Sequence, residues 1–222
     1  VVDYRRKPSG AKSDPIDARL LASIGRSDLM QLKRLKPDTE LIAELKLLTR
    51  DQDGLIQEST RLTNRLIACL KEYYPVALEF FSKPTLPVAL EFFKCYPLPD
   101  LVREATVPEI AAFLKKHKHP RPNQTAITIW QKAQEPQLKA SAPTARAKCR
   151  LMLALVSQLE VVQEQISAYD EEINRLFQLH SDSRIFASLP GAAGRLAPRL
   201  LAEWGEDRER YENAAVVQAL AG

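Results

Sequence analysis

Two stretches of this chain carry residues suited to a buried face at alternating steps of four and three, and that rhythm constrains the fold more than anything else in it. The first runs through Leu41, Leu45, Leu48, Gln52, Leu55, Ser59, Leu62, Leu66 and Cys69. The second runs through Met152, Leu155, Leu159, Val162, Ile166, Tyr169, Ile173 and Leu176. Such spacing keeps one stripe of a helix facing a partner over many turns, which is a heptad seam. Asp38 or Thr39 can cap the first helix, and Pro75 stops it. Two seams separated by a long insert predict an antiparallel coiled-coil hairpin; a parallel homodimer of either seam satisfies the same pattern. Gln52 and Ser59 are polar at seam positions, so they weaken packing while helping to fix register. Aromatics at 7% and only 7 glycines are too few for a sheet-rich fold, which leaves a mainly α chain.

Prolines break the insert into short pieces. The heptapeptide P-V-A-L-E-F-F occurs at 75–81 and again at 87–93, a local duplication of one short helix. Leu98 to Lys118 predicts two more short helices, the second opened by Pro108. From 115 to 150 the composition turns basic. Lys115, Lys116, Lys118, Arg121, Lys132, Lys139, Arg146, Lys148 and Arg150 face a single acid, Glu135. The net charge of +4 is concentrated here. Such a stretch is either a set of phosphate contacts to nucleic acid or a solvated surface loop. Trp130 is its lone aromatic apart from histidine, so backbone contact is favoured over base stacking.

A helix is predicted to start at Asp14, with Pro15 at its first position and Gly25 at its end. Ile16, Leu20, Leu21 and Ile24 form its apolar face. Asp14 and Asp17, three apart, point to one side of that helix. Taken alone, they are best read as capping it and favouring its dipole, a reading compatible with sharing a hard cation that wants oxygen ligands. Near the other end, Leu189-Pro190-Gly191 precedes an apolar helix, Leu196 to Trp204, closed by Gly205. This is either a plain Pro-Gly turn or a hairpin that offers backbone N–H groups to a phosphate, helped by Arg195 and Arg199. A last short helix covers Ala214 to Ala221. His117, His119 and His180 have no metal-ligand spacing, and no nucleophile triad is visible. Cys69, Cys95 and Cys149 form no zinc or disulfide pattern, so a reducing, cytoplasmic setting is the default. No apolar run approaches a membrane span.

Taken in order, these segments resemble the DEDD transposases of the insertion-sequence-110 type, also called bridge-RNA-guided recombinases. The K-x-D-x-x-D-A-x-x-L-A pattern is met by Lys12, Asp14, Asp17, Ala18, Leu21 and Ala22. The runs Leu47 to Leu55 and Arg61 to Leu66 are similar to the family's first coiled-coil helix. Ser188 to Glu203, then Arg210-Tyr211 and the closing A-L-A-G, resemble the opening of its second catalytic domain. The family commonly has a second glycine where this chain has Ala193, with Gly194 one place later.

The resemblance implies a three-part organisation. Residues 1–36 would be the end of a RuvC-like α/β domain, and 37–181 a coiled-coil hairpin with a basic helical insert at 75–150. Residues 182–222 would start a helix-hairpin-helix-like domain. Asp14 and Asp17 would be the last two acids of a four-acid Mg2+ site and so catalytic. The first two acids are expected before Val1 and the nucleophilic serine beyond Gly222, so the stretch alone is expected to be inactive. The implied partners are DNA, a structured guide RNA and further copies of the protein, in a bacterial cytoplasm at the nucleoid, with no membrane. The expected nucleic-acid contacts are Lys12, Lys115, Lys116, Lys118, Arg121, Lys148, Arg150, Gly191, Arg195 and Arg199. The rival expectation is a non-enzymatic helical coiled-coil protein that binds nucleic acid or a partner, with Asp14 and Asp17 as caps.

Overall fold

Prolines write most of the helix boundaries of this chain. The structure is a computed structural model that describes residues 14–27, 30, 36–137, 139–192, 194–207, 209, 211 and 213–221. Among these the regular elements are all helical. They are α1 (Asp14–Ser27), α2 (Glu40–Tyr73), a 3-10 turn (Pro75–Glu79), α3 (Pro87–Cys95), α4 (Pro99–Glu104), α5 (Val107–Lys116), α6 (Pro122–Gln134), α7 (Ala142–Leu179), α8 (Ser183–Ala187), α9 (Leu196–Trp204) and α10 (Ala214–Ala221). Each of α3 to α7 has proline in its first two positions. There the missing N–H is not needed and the fixed φ already suits a helix. On two of these helices side chains cap as well: Thr106 and Glu109 form a reciprocal capping box on α5, and Ser141 caps α7.

The chain divides into two compact units, Glu40–Trp204 and a second made of Val1–Thr39 with Gly205–Gly222. In the larger unit, α2 and α7 lie side by side in opposite directions. Gln52 meets Asp170 near one end of the pair, and Glu72 meets Lys148 near the other. At 34 and 38 residues, each helix is roughly 50 Å long. Most of the expected seam is buried, including Leu45, Leu62, Leu66 and Cys69 on α2 and Met152, Leu155, Leu159, Ile166, Ile173 and Leu176 on α7. Ile42 and Thr49 are buried where Leu41 and Leu48 are only half-buried. The reason is α9, which packs on α2 and draws a second stripe inward.

The insert folds at one end of the helix pair. Phe80, Phe81, Phe92, Tyr74 and Phe113 meet edge to face at ring separations of 5.4 to 6.0 Å around buried Leu90, Ile110 and Ile129. The two copies of the heptapeptide enter the same core in different conformations, a 3-10 turn first and an α-helix second. The expectation of one helix repeated is therefore corrected: packing, not the local sequence, decides the backbone. The basic stretch is itself largely helical, since it contains α6 and the start of α7.

At the other end, α8 and α9 join a smaller core of Ile42, Leu45, Ile173, Phe177, Phe186 and Leu201. Both helices bury their apolar faces against the helix pair and so belong to the larger unit. In the smaller unit, Lys36 pairs with Asp207 and Glu209, and a Cβ on Gly205 would lie 3.2 Å from Asp38. Helix α1 runs through Gly25 to Ser27, two residues beyond its expected end, and none of its residues is fully buried. Leu21, expected on its apolar face, is 70% exposed.

Candidate metal and nucleic-acid sites

The first turn of α1 contains both Asp14 and Asp17. Asp14 is exposed and Asp17 half-buried. Three positions apart, they share a side of the helix, and their oxygens suit a hard divalent ion such as Mg2+. Among the described residues no third His, Cys, Asp or Glu joins them to complete a metal-binding group. The donor set therefore suits half of a carboxylate site. Lys12 lies outside the described residues.

The nine basic residues of 115–150 separate into two kinds. Lys132 is held by Glu79 at 2.7 Å, Lys139 by Asp100 at 3.3 Å and Lys148 by Glu72 at 2.6 Å. The Glu72 hydrogen bond raises the Lys148 ammonium above the ordinary lysine range. These three tie the insert and α7 to neighbouring elements. Lys115, Lys116, Lys118 and Arg121 are exposed and belong to no ion pair among the described residues, as do Arg146 and Arg150.

Local geometry gathers the first four. Lys115 and Lys116 end α5, where positive charge complements the helix dipole. The turn that follows donates His119 N–H to Leu114 O and Lys118 N–H to Lys115 O, the pattern of a left-handed helix stop. Lys118 occupies the position with φ of 55°, which glycine ordinarily takes. His117 lies over the Phe113 ring at 4.4 Å, and His119 Nδ1 accepts from Arg121 N–H. The histidines are thus packed into the loop that displays the lysines.

The turn before α9 is built as its sequence suggests. Pro190 sits second and Gly191 third, with φ of 76°, and Ala192 N–H donates to Leu189 O at 3.0 Å. Gly194 also has positive φ, 74°, while Ala193 lies outside the described residues. The two arginines expected to face phosphate are occupied by carboxylates. Arg195 Nε donates to Asp170 Oδ1 at 2.6 Å, with a second bond from its guanidinium to Oδ2. Arg199 donates to Asp53 Oδ1 at 2.9 Å. The Arg195 guanidinium, followed by the Gln52 amide, holds the Asp170 carboxyl below the usual aspartate range. Gln52, expected to help fix register, donates to Asp170 Oδ1 on α7 at 2.8 Å. Asp53 and Asp170 had no signal in the sequence, because their partners lie 146 and 25 residues away.

The family model for IS110-type DEDD transposases, described as a transposase, matches residues 1–75, which hold Asp14, Asp17 and all of α2. A Streptomyces coelicolor protein, named provisionally as the mini-circle transposase for IS117, is 30% identical over 223 residues. That match covers 98% of this chain and 54% of the relative. An uncharacterized protein of insertion element IS110 from the same species is 30% identical over 217 residues, covering 97% of this chain and 53% of the relative. Residues 1–75 of this chain thus carry the match to the IS110-type transposases. An uncharacterized protein of insertion element IS116 from Streptomyces clavuligerus adds 27% identity over 213 residues, 95% of this chain and 52% of the relative. The chain spans about half the length of the curated relatives it matches. No solved structure matches it. None of its described helices is long and apolar enough to cross a membrane.

Proposed function

We propose that the full-length protein cuts and rejoins DNA to move an insertion sequence, and that this chain supplies half of its metal site and part of its nucleic-acid grip. The observation that carries the reading is the Asp14–Asp17 pair, set on the first turn of a helix inside the stretch matched by the family. Both carboxylates would hold Mg2+ together with two acids contributed from outside residues 1–222, within a RuvC-like domain. A bound Mg2+ would supply Lewis-acid polarisation of a phosphate oxygen. Asp14 and Asp17 would hold the ion from one helical turn, which would fix its position relative to the DNA. A serine from outside this stretch would be the nucleophile, so the stretch alone would not cut DNA.

Lys115, Lys116, Lys118 and Arg121 would grip the phosphate backbone of DNA or of a structured guide RNA, since among the described residues no carboxylate pairs with them. Lys12 and Arg150 would extend that grip. The α2–α7 pair would serve as an antiparallel coiled-coil arm on which copies of the protein assemble. The α8–turn–α9 segment would act as a helix-hairpin-helix, with Gly191 shaping its turn. Arg195 and Arg199 hold that segment on the arm and reach phosphate only by exchanging Asp170 and Asp53.

The test is transposition by the full-length protein carrying Asp14→Ala or Asp17→Ala. Activity is expected to fall by more than about a hundredfold with the fold intact, as loss of a metal ligand commonly does. Normal transposition by folded variants would remove the metal role and leave helix capping as the function of both residues.

A further inference from the structure

A cleft of 360 Å³ opens where the end of α2, the start of α4 and the start of α7 converge, in a place that the metal site and the basic loop leave untouched. Its walls are apolar: Leu98 and Pro99 on one side, Ala142 and Ala145 on the other. Tyr73 forms the floor and is almost fully buried, with its hydroxyl donating to Pro97 O at 3.0 Å.

The rim is cationic, with three positive side chains, Arg103, Lys139 and Arg146, against the single carboxylate of Asp100. Arg103 is held rigid by bonds to Ala133 O at 2.8 Å and Glu135 O at 3.0 Å. Arg146 has no ion-pair partner among the described residues. Lys139 is tied to Asp100 only by a 3.3 Å pair in which both side chains are more than 60% exposed, a contact that an incoming anion can displace. Gln137 lines the same cleft; its amide donates one hydrogen to Lys132 O at 3.5 Å and has a second hydrogen and Oε1 to offer.

We propose that this cleft binds a single nucleotide, with the base between the Leu98–Pro99 and Ala142–Ala145 walls and the phosphate at Arg146 and Lys139. Three observations point there together. The volume lies at the lower end for small-molecule sites, so it admits one nucleotide and excludes a duplex. The apolar walls suit the faces of a base, and Gln137 is placed to meet a base edge. The rim leaves an excess of positive charge for a phosphate. The proposal rests on the nucleic-acid reading above in one respect: the occupant is taken to be an unstacked nucleotide of a bound strand. A free mononucleotide has the same chemistry, and the two sources are separated below.

Adenosine monophosphate and inorganic phosphate are titrated separately into the 222-residue chain by calorimetry, alongside Arg146→Ala and Ala142→Trp variants. Ala142 is exposed at the first position of α7, so the added ring fills the cleft without entering the core. Adenosine monophosphate is expected to bind saturably, with inorganic phosphate at least about tenfold weaker and Arg146→Ala costing about tenfold. Ala142→Trp is expected to abolish binding with an unchanged circular dichroism spectrum. A single-stranded oligonucleotide containing 2-aminopurine then identifies the source. Fluorescence that rises on binding to the parent chain, but not to Ala142→Trp, assigns the cleft to a strand nucleotide. Ala142-dependent binding of adenosine monophosphate without that rise assigns it to a free nucleotide. If neither probe gives an Ala142-dependent signal the cleft proposal is overturned, while salt-sensitive oligonucleotide binding through the basic loop would still stand. Loss of oligonucleotide binding with adenosine monophosphate still bound overturns only the strand reading.

Discussion

The two ends of the α2–α7 pair are held by different physics. At the insert end, rings and aliphatic side chains from the 3-10 turn and α3 to α6 fill one broad core. At the other end, α8 and α9 cover a small core whose periphery is laced with ion pairs: Arg195 to Asp170, Arg199 to Asp53 and Arg50 to Glu203. Apolar burial is indifferent to salt and to mild acid, whereas ion pairs at a half-exposed periphery are weakened by both. The insert should therefore be the rigid platform and the α8–α9 segment the part whose attachment depends on conditions.

The largest effect should come from the insert core. Phe92 is fully buried and meets the rings of Phe80, Phe81, Tyr96 and Phe113. Phe92→Ala is expected to cost about 3–5 kcal/mol in denaturant unfolding. A cost below about 1 kcal/mol would mean that the insert core is not packed as described.

At the opposite end, Asp170→Ala removes the partner of Arg195 and strands the amide of Gln52, which is only 1% exposed. The expected cost is about 1–3 kcal/mol, mostly from the unsatisfied buried amide. The acid response has a definite sign. The folded-state pKa of Asp170 is lowered by Arg195, so its contribution is fully present above the ordinary aspartate value of 3.8 and is lost as pH falls through the lower folded value. Hydrogen exchange of residues 183–204 is expected to quicken below about pH 4, before that of α3 to α5. Simultaneous loss of protection at both ends would erase the distinction between them.

The smallest effect separates stability from binding. Lys118 sits at φ of 55°, where glycine is unstrained. Lys118→Gly is expected to raise stability by up to about 1 kcal/mol while weakening nucleic-acid binding. A gain in both would remove Lys118 from the interface.

The features legible in the sequence are those set by local chemistry. Gly205 ends α9 and Pro75 follows the end of α2, as their backbone restrictions require. Asp14 starts α1, and the Leu189–Ala192 turn follows from proline second and glycine third. The features that were not legible depend on what packs against what. Gly25 stays helical because nothing in a single glycine forces a stop. Thr49 replaces Leu48 in the buried stripe because α9 arrives from 150 residues downstream. Charge content showed where the basic residues lie along the chain, but not which would be paired. Lys148 and Arg150 look alike in sequence, and only the approach of Glu72 from α2 distinguishes them. The cleft beside Tyr73 is invisible for the same reason, since its walls come from three separated segments.

The central claim is that the unpaired cations of the α5–α6 loop hold nucleic acid while the paired cations of the same stretch hold the fold. The direct test is the salt dependence of binding to a short DNA duplex. It compares the parent chain with a variant carrying Lys115→Ala, Lys116→Ala, Lys118→Ala and Arg121→Ala, and with another carrying Lys132→Ala and Lys148→Ala. The loop variant should lose affinity, and its log–log salt slope should flatten by about 0.9 for each phosphate contact removed, up to about 3.6. The second variant should lose stability and keep a slope near that of the parent. An unchanged slope in the loop variant would contradict the account.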